Sequence, residues 1–261
     1  MSLDRALRVA ASGASIFEMS QAISAENFAN AKTLGWNPKN LEVGSAGTST
    51  IIQPGATDGD GQTQLGAQVS NGVIVKSIYR THEQNPTKDD SSPYSLAIQG
   101  DPNSFFQYID GDQVKLSRSG LCHLDNGQIK NSDGFILSPG ISIPENVSTV
   151  TISSDGKVSG KSVDSTEILD LGTIELARVA DPKNLTEHNG YYVANANAGA
   201  LSIGVPGEEG RGTLLQRKLE TSGTKAIFEM QEMITASHAY NFCLQITKKV
   251  DEMGKAAANG A

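Results

Sequence analysis

Helix breakers are distributed very unevenly along this chain. All nine prolines lie between Pro38 and Pro206. From Met1 to Leu34 the only glycine is Gly13, and from Thr224 to Met253 there is none. Proline removes a helical N–H and clashes with the preceding turn, and glycine costs backbone entropy. The two ends can therefore each form a long helix, and the interrupted middle cannot. The layout predicts an α+β chain: helix, β-rich middle, helix.

At the N-terminal end, steps of four and three give Leu3, Leu7, Ala10, Ala14, Phe17, Gln21, Ser24 and Phe28. This is a heptad seam with polar interruptions. Ser2 can cap the helix, and Asp4 suits the positive end of its dipole. Leu3 to Ala31 would make a rod of roughly 43 Å. The small residues Ala10, Ala11, Ser12, Gly13, Ala14 and Ser15 would let a second helix approach closely. At the C-terminal end, Ile227, Met230, Met233, Ile234, Tyr240, Leu244 and Val250 recur at helical spacing, with Ser222 or Thr224 as caps. Thr224 to Gly254 would run roughly 46 Å. Long helices are marginal alone, so the matched ends are expected to pair as a coiled coil. Gln21, Ser24 and Ser237 would fix its register, and the methionines would provide an adaptable face.

The middle shortens to strand-like runs. Val73–Ile78, Tyr94–Gln99, Phe105–Ile109, Val114–Ser119, Leu121–Asp125, Gln128–Asn131, Val150–Ser153, Lys157–Ser159, Thr173–Arg178, Tyr191–Val193 and Leu214–Leu219 all read as strands. Asn126-Gly127 and Asp155-Gly156 mark hairpins whose central residues take positive φ, and Asp110-Gly111-Asp112 marks another turn. Turns this frequent imply an antiparallel sandwich or barrel-like domain. Residues 44–71 have few large apolar side chains (Ile51, Ile52, Leu65 and Val69) and cannot bury themselves. They read as a loop or as an extended arm laid on a partner. Hydrophobic residues make up only 38% of the chain, so its core is divided or elongated.

No enzymatic chemistry emerges. His82, His123, His188 and His238 are isolated and read as surface or interface residues. No phosphate loop, dinucleotide fingerprint or nucleophile elbow is present. Asp58-Gly59-Asp60-Gly61 lacks the closing glutamate of a calcium loop and reads as a turn. Cys122 and Cys243 have no CxxC spacing and read as small packing residues. No catalytic residue, metal site or cofactor is expected. The net charge of −8 argues against a nucleic-acid groove. No run is long and apolar enough for a membrane span, and the N-terminus does not read as a cleavable secretory signal.

Four motifs in order resemble the axial proteins of the bacterial flagellum, above all the basal-body rod family. Ile23 to Trp36 (ISAENFANAKTLGW) resembles the rod signature "NNLAN" followed by "T-x-G-F", with Glu26, Phe28 and Trp36 as departures. Here Asn27 and Asn30 would satisfy backbone groups at the helix end, Gly35 would permit the turn, and Trp36 would pin the exit. Leu96-Ala97-Ile98-Gln99-Gly100 with Phe105-Phe106-Gln107 resembles the family's "AI-x-G-x-GFF" strand pair. Leu116-Ser117-Arg118-Ser119-Gly120 with Leu124-Asp125-Asn126-Gly127 resembles "YTR-x-G-x-F-x-x-D-x-x-G". Leu219-Glu220-Thr221-Ser222-Gly223, then Glu232-Met233-Ile234 and Ala239-Tyr240, resembles "ETSN" and "MI-x-x-Q-R-AYE", with His238 and Asn241 replacing Arg and Glu. The segment around Gln53-Pro54-Gly55-Ala56 resembles the distal-rod branch.

The resemblance implies a structural subunit that self-assembles into a helical tube, crosses the periplasm and transmits torque to the hook. The implied partners are further copies of the chain, proximal rod and hook proteins, the outer L and P rings, and the flagellar type III export apparatus. No nucleic acid and no membrane insertion are implied. The expected layout is a helix at 1–34, an extended β arm and connecting region at 35–84, a central β domain at 85–205, a return strand at 206–221 and a helix at 222–261. Thr221 and Ser222 join the helix-seam residues, Asn27, Asn30, Gly35 and Trp36 as candidate assembly residues. Another axial protein of proximal rod or hook type, or a secreted oligomeric β-domain adhesin, remains as an alternative.

Overall fold

The structure, a computed structural model, describes residues 3–53, 55, 65–111, 113–162, 168–195 and 198–259. Its chain divides into two compact units. One holds the described residues of 1–29, 39–79 and 225–261, and the other holds those of 30–38 and 80–224. The expected cap at Ser2, the turn at Asp58–Gly61, Asp112 of the Asp110–Asp112 turn, and Pro54 and Ala56 of the distal-rod segment lie outside the described residues.

The first unit contains α1 (Leu3–Ala29), β1 (Lys39–Ser45), β2 (Thr48–Ile52), β3 (Ala67–Ser70), β4 (Val73–Arg80, to Tyr79) and the C-terminal helix α2 (Ala226–Asn259). Gly254 does not end α2, which continues to Asn259. Among the described residues of 44–71, β2 and β3 form an antiparallel pair. Strands β1 and β4 form a second pair.

The second unit contains β5 (Thr87–Asp89), β6 (Leu96–Gln99), β7 (Ser104–Asp110), β8 (Gln113–Ser117), β9 (Cys122–Asp125), β10 (Gln128–Asn131), β11 (Ile136–Leu137), β12 (Val147–Ile152), β13 (Lys157–Ser162) and β14 (Ile168–Thr173). It continues with β15 (Leu176–Val179), β16 (Thr186–His188), β17 (Tyr191–Val193), β18 (Leu201–Gly204), β19 (Thr213–Gln216) and β20 (Lys218–Glu220). Among the described residues its main sheet runs β16-β17-β8-β7-β11-β10-β9, with β15 joining β7 to β18. Strands β12, β13 and β14 form a separate sheet, and β6–β19 and β5–β20 are two-stranded pairs.

The expected hairpins form, with one correction. Asn126 and Gly127 both take positive φ (50° and 75°), the primed turn that suits twisted strands. Between β12 and β13 only Gly156 does (83°), in a three-residue loop closed by Ser153 and Lys157. Two expected strands are each broken in two. The run at 173–178 separates into β14 and β15, and the run at 214–219 turns at Arg217, whose φ is 58°. The strand pair expected from the Leu96 and Phe105 motifs does not form, since β6 pairs with β19 and β7 pairs with β8, β11 and β15. Leu96, Ile98, Phe105 and Phe106 are nonetheless fully buried, so both motifs supply core. That core is divided: one cluster centres on Leu96, Phe106, Tyr108 and Ile174, and the other on Phe105, Leu116, Ala177 and Tyr192.

Candidate assembly site

The two terminal helices pack together through small residues. A Cβ on Gly13 would lie 3.2 Å from Cys243 Sγ. The Asn27 amide donates to Glu229 Oε1 at 3.2 Å. These contacts lie fourteen residues apart on each helix and run in opposite directions, so α1 and α2 are antiparallel. Burial on α1 falls on Ala10, Ile16, Ile23, Ser24 and Asn27, and on α2 it falls on Ala236 and Val250.

This differs from the expected seam. Ile16 and Ile23, which that seam skipped, are buried, while Phe28 and Leu3 are exposed. Leu7, Ala14 and Phe17 are half-buried. The physical reason is that α1 is covered by strands as well as by α2. Ser12 Oγ accepts from the Val73 amide at 3.3 Å, and the Asn27 carboxamide makes two 2.9 Å hydrogen bonds to the Lys39 backbone, one in each direction. Its buried face is therefore wider than, and rotated from, a two-helix seam.

On α2 the difference is larger. Met233 and Tyr240 are half-buried, but Ile227 is 81% exposed, Ile234 57%, and Met230 and Leu244 also face outward. Phe228, Phe242, Ile246 and Met253, which the heptad reading passed over, are each at least half exposed. The bulky apolar residues of α2 thus lie off the α1 seam. An open groove of about 630 Å³ adds to this surface, lined by Val9, Ala10, Phe17, Val69, Val73 and Ile246.

A separate construction holds the segment that follows α1. After Ala29 the chain turns through Asn30, whose Oδ1 accepts from the Thr33 hydroxyl at 2.9 Å. Gly35 adopts φ 65°, and a Cβ there would lie 2.7 Å from the Arg118 carbonyl carbon, so glycine is required on both counts. The Gly35 amide donates to the Glu220 carbonyl at 3.0 Å, and the Gly223 amide donates to the Trp36 carbonyl at 2.9 Å. Beneath it Arg118 and Glu220 form an ion pair with both side chains wholly buried, Nη2 lying 2.7 Å and Nε 2.9 Å from one carboxylate oxygen. Arg118 Nη1 also donates to the Asp101 and Ser104 carbonyls at 2.9 and 2.6 Å. The Asn85 amide donates to the other Glu220 oxygen at 3.2 Å. Burial raises the Glu220 carboxyl above its ordinary range, and Arg118 draws it back.

The Arg80 guanidinium lies 4.1 Å from the centre of the Trp36 ring, donates to the Asn37 carbonyl and pairs with Glu187. Trp36 is therefore pinned, as expected, and three of the four sequence motifs meet here. The motifs contain Arg118 and Glu220, but a pairing between residues 102 apart leaves no trace in local spacing. Thr221 and Ser222 are half-buried; Thr221 Oγ1 donates to the Pro86 carbonyl at 2.7 Å, and Ser222 Oγ accepts from the Thr224 amide at 3.2 Å, just before α2.

Of the expected surface or interface position His82 takes the latter: it is half-buried and packs edge-on against Phe105 and Tyr192, with ring centres 5.7 and 5.6 Å away. Burial, helped by Arg80 and Arg118, lowers it to about 4. Cys122 is buried within a strand, as expected. Among the described residues no group of acidic, histidine and cysteine side chains could hold a metal, and no helix is long and apolar enough to cross a membrane.

Comparison with known proteins places the chain in a family. Residues 97–160 match the flagellar hook protein FlgE/F/G D1 domain, and residues 215–260 match the flagellar basal body rod FlgEFG protein C-terminal family. The chain is similar to the flagellar basal-body rod protein FlgG of Caulobacter vibrioides, with 32% identity across 97% of this chain and 98% of that protein. It is similar to FlgG of Borreliella burgdorferi at 30% identity, covering 95% and 96%, and to FlgG of Bacillus subtilis at 29%, with the same coverage. The chain belongs to the flagellar basal-body rod protein family, a family of structural proteins rather than enzymes, and within it is most like FlgG.

Proposed function

We propose that this chain is a structural subunit of the distal rod that self-assembles into a helical, tubular drive shaft. In this reading the terminal helices pair as a coiled coil toward a central channel, and the β-rich unit carries the outer contacts. The finer partners follow from the same reading: further copies, proximal rod and hook proteins, the L and P rings, and the type III export apparatus. The shaft would cross the periplasm and pass torque to the hook.

One observation carries the reading. The seam between α1 and α2 is built from small residues, while Ile227, Phe228, Ile234, Phe242 and Met253 remain exposed. Burying each such side chain contributes about 1.5–3 kcal/mol, so neighbouring copies have ample apolar surface to order against. Contacts between unlike surfaces that do not close give an open helix rather than a ring.

The test is electron microscopy of the purified chain at rising concentration, beside an Ile234→Asp/Phe242→Asp variant. The parent should form filaments and the variant should stay dispersed, and below the concentration at which the parent assembles the two should melt within about 2 °C of each other, because both side chains are already solvent-exposed. Filaments of the variant at the parental concentration would refute the proposal. The arm around 44–71 is assigned the role of stiffening the tube by bridging subunits. Deleting residues 46–65, which removes β2, should give a more flexible filament, measured as a shorter persistence length.

A further inference from the structure

We propose that His82 is an acid-sensitive latch for the segment 30–38, whose docking on the β-rich unit is released when the His82 ring takes up a second proton. The proposal concerns the fold of one subunit and does not depend on the rod assignment.

The latch is made of named contacts. His82 follows β4 and sits in a triangle of rings with Phe105 from β7 and Tyr192 from β17, all edge-to-face at 5.6–5.7 Å. Its Nδ1 lies 3.3 Å from Asn37 Nδ2. The orientation of the Asn37 amide follows from its other partner, since Asn85 Nδ2 donates to Asn37 Oδ1 at 3.1 Å. Neutral His82 therefore accepts at Nδ1 and carries its proton on the other nitrogen.

A second proton makes Nδ1 a donor that faces the Asn37 donor. Turning the Asn37 amide over would set its NH2 against the Asn85 NH2, so neither orientation satisfies all three groups. The surrounding charges oppose the cation as well. Arg80 and Arg118 both disfavour it, while Asp181 favours it. Glu187 is engaged by Arg80, Glu220 by Arg118, and the phenol of Tyr192 is raised by burial and stays neutral. Buried polar groups left facing like partners cost far more than the same groups in water. The relief available is withdrawal of Asn37, and with it the neighbouring Trp36 that lies under Arg80.

The sign is fixed by linkage. The docked ring binds its proton near pH 4, whereas a free histidine binds it near 6.5. Docking is thus at full strength above pH 6.5 and weakens as pH falls toward 4, below which the loss levels off. The docking constant should fall about 20-fold between pH 7 and 5 and roughly 100-fold by pH 4.

Trp36 is the only tryptophan in the chain and reports its own release. Fluorescence of the full-length chain is followed from pH 7 to 3.5, beside the imidazole signals of His82 by NMR. The expected result is a red shift of Trp36 that coincides with His82 protonation and precedes loss of helical circular dichroism. His82→Gln, which cannot titrate, should abolish the shift. Asn37→Asp, which offers the cation an acceptor, should raise the His82 midpoint and also abolish the shift. A wild-type His82 that titrates near 6.5 without moving Trp36, or a red shift that persists at the same pH in His82→Gln, would overturn the latch. If His82→Gln fails to fold, coincidence of the two wild-type signals decides the matter.

Discussion

The wholly buried Arg118–Glu220 pair offers the sharpest test of how the segment after α1 is held. Glu220→Ala removes an acceptor for two guanidinium nitrogens and one for the Asn85 amide. It leaves Arg118 with only the Asp101 and Ser104 carbonyls, in a site with no solvent exposure. An uncompensated buried charge costs about 3–5 kcal/mol. For a protein of this size that lowers the unfolding midpoint by roughly 6–20 °C. Glu220→Gln keeps the shape and one acceptor, so its cost should be smaller, about 1.5–3 kcal/mol. The paired change Arg118→Met/Glu220→Leu separates lost attraction from orphaned charge and should regain most of the stability that Glu220→Ala loses, because both charges are gone and the volume is kept. The assay is urea unfolding at pH 7, followed by Trp36 fluorescence, with a constant m-value as the check that only stability has changed. A Glu220→Ala chain within about 1 kcal/mol of the parent would refute the reasoning, since it would mean that water reaches the guanidinium.

Two further substitutions probe the helix unit. Gly13→Leu places a side chain where Cys243 Sγ already lies 3.2 Å from a Cβ, so it should cost about 1–3 kcal/mol by overpacking, read as earlier melting of the helical signal at 222 nm. Asn27→Ala removes both hydrogen bonds to the Lys39 backbone and the one to Glu229; a loss of about 1–3 kcal/mol should speed amide exchange at Lys39 by roughly 5- to 150-fold, measured by NMR.

The large features were legible because they are local. Absence of proline and scarcity of glycine are enough to mark α1 and α2, and Asn126-Gly127 carries the positive φ of its own turn. What failed to show in the sequence depends on distant partners. Strands β5 (Thr87–Asp89) and β16 (Thr186–His188) have no apolar pattern, being exposed edges set by pairing with β20 and β17. The α1 seam went astray at Phe28 because a periodic count assumes one neighbour, whereas α1 meets both strands and a helix. The partners of His82 were not readable because the two aromatics that pack on it come from positions 105 and 192. In the candidate site, Gly35 and Trp36 were readable as a turn and its anchor. Their support, the Arg118–Glu220 pair, was not.

The two units also differ in how they are stabilised, and this gives the low apolar fraction a location. The β-rich unit holds two clusters with side chains such as Leu96, Phe105, Phe106 and Ile174 at zero exposure. The helix unit buries Ala10, Ile16, Ile23, Ala236 and Val250, little for two helices of 27 and 34 residues. Fixing each residue's backbone costs about 1–2 kcal/mol, and helices gain stability chiefly by packing one face. Small seam residues allow a close approach but transfer little apolar area, so a seam of Ala10, Gly13 and Ala236 cannot offset that cost as a leucine seam would. The larger contribution sits unspent on the outer faces of α2. The β unit thus has a core of its own, and in the proposed filament neighbouring copies would cover the outer faces of α2, so that helix stability would rise with assembly.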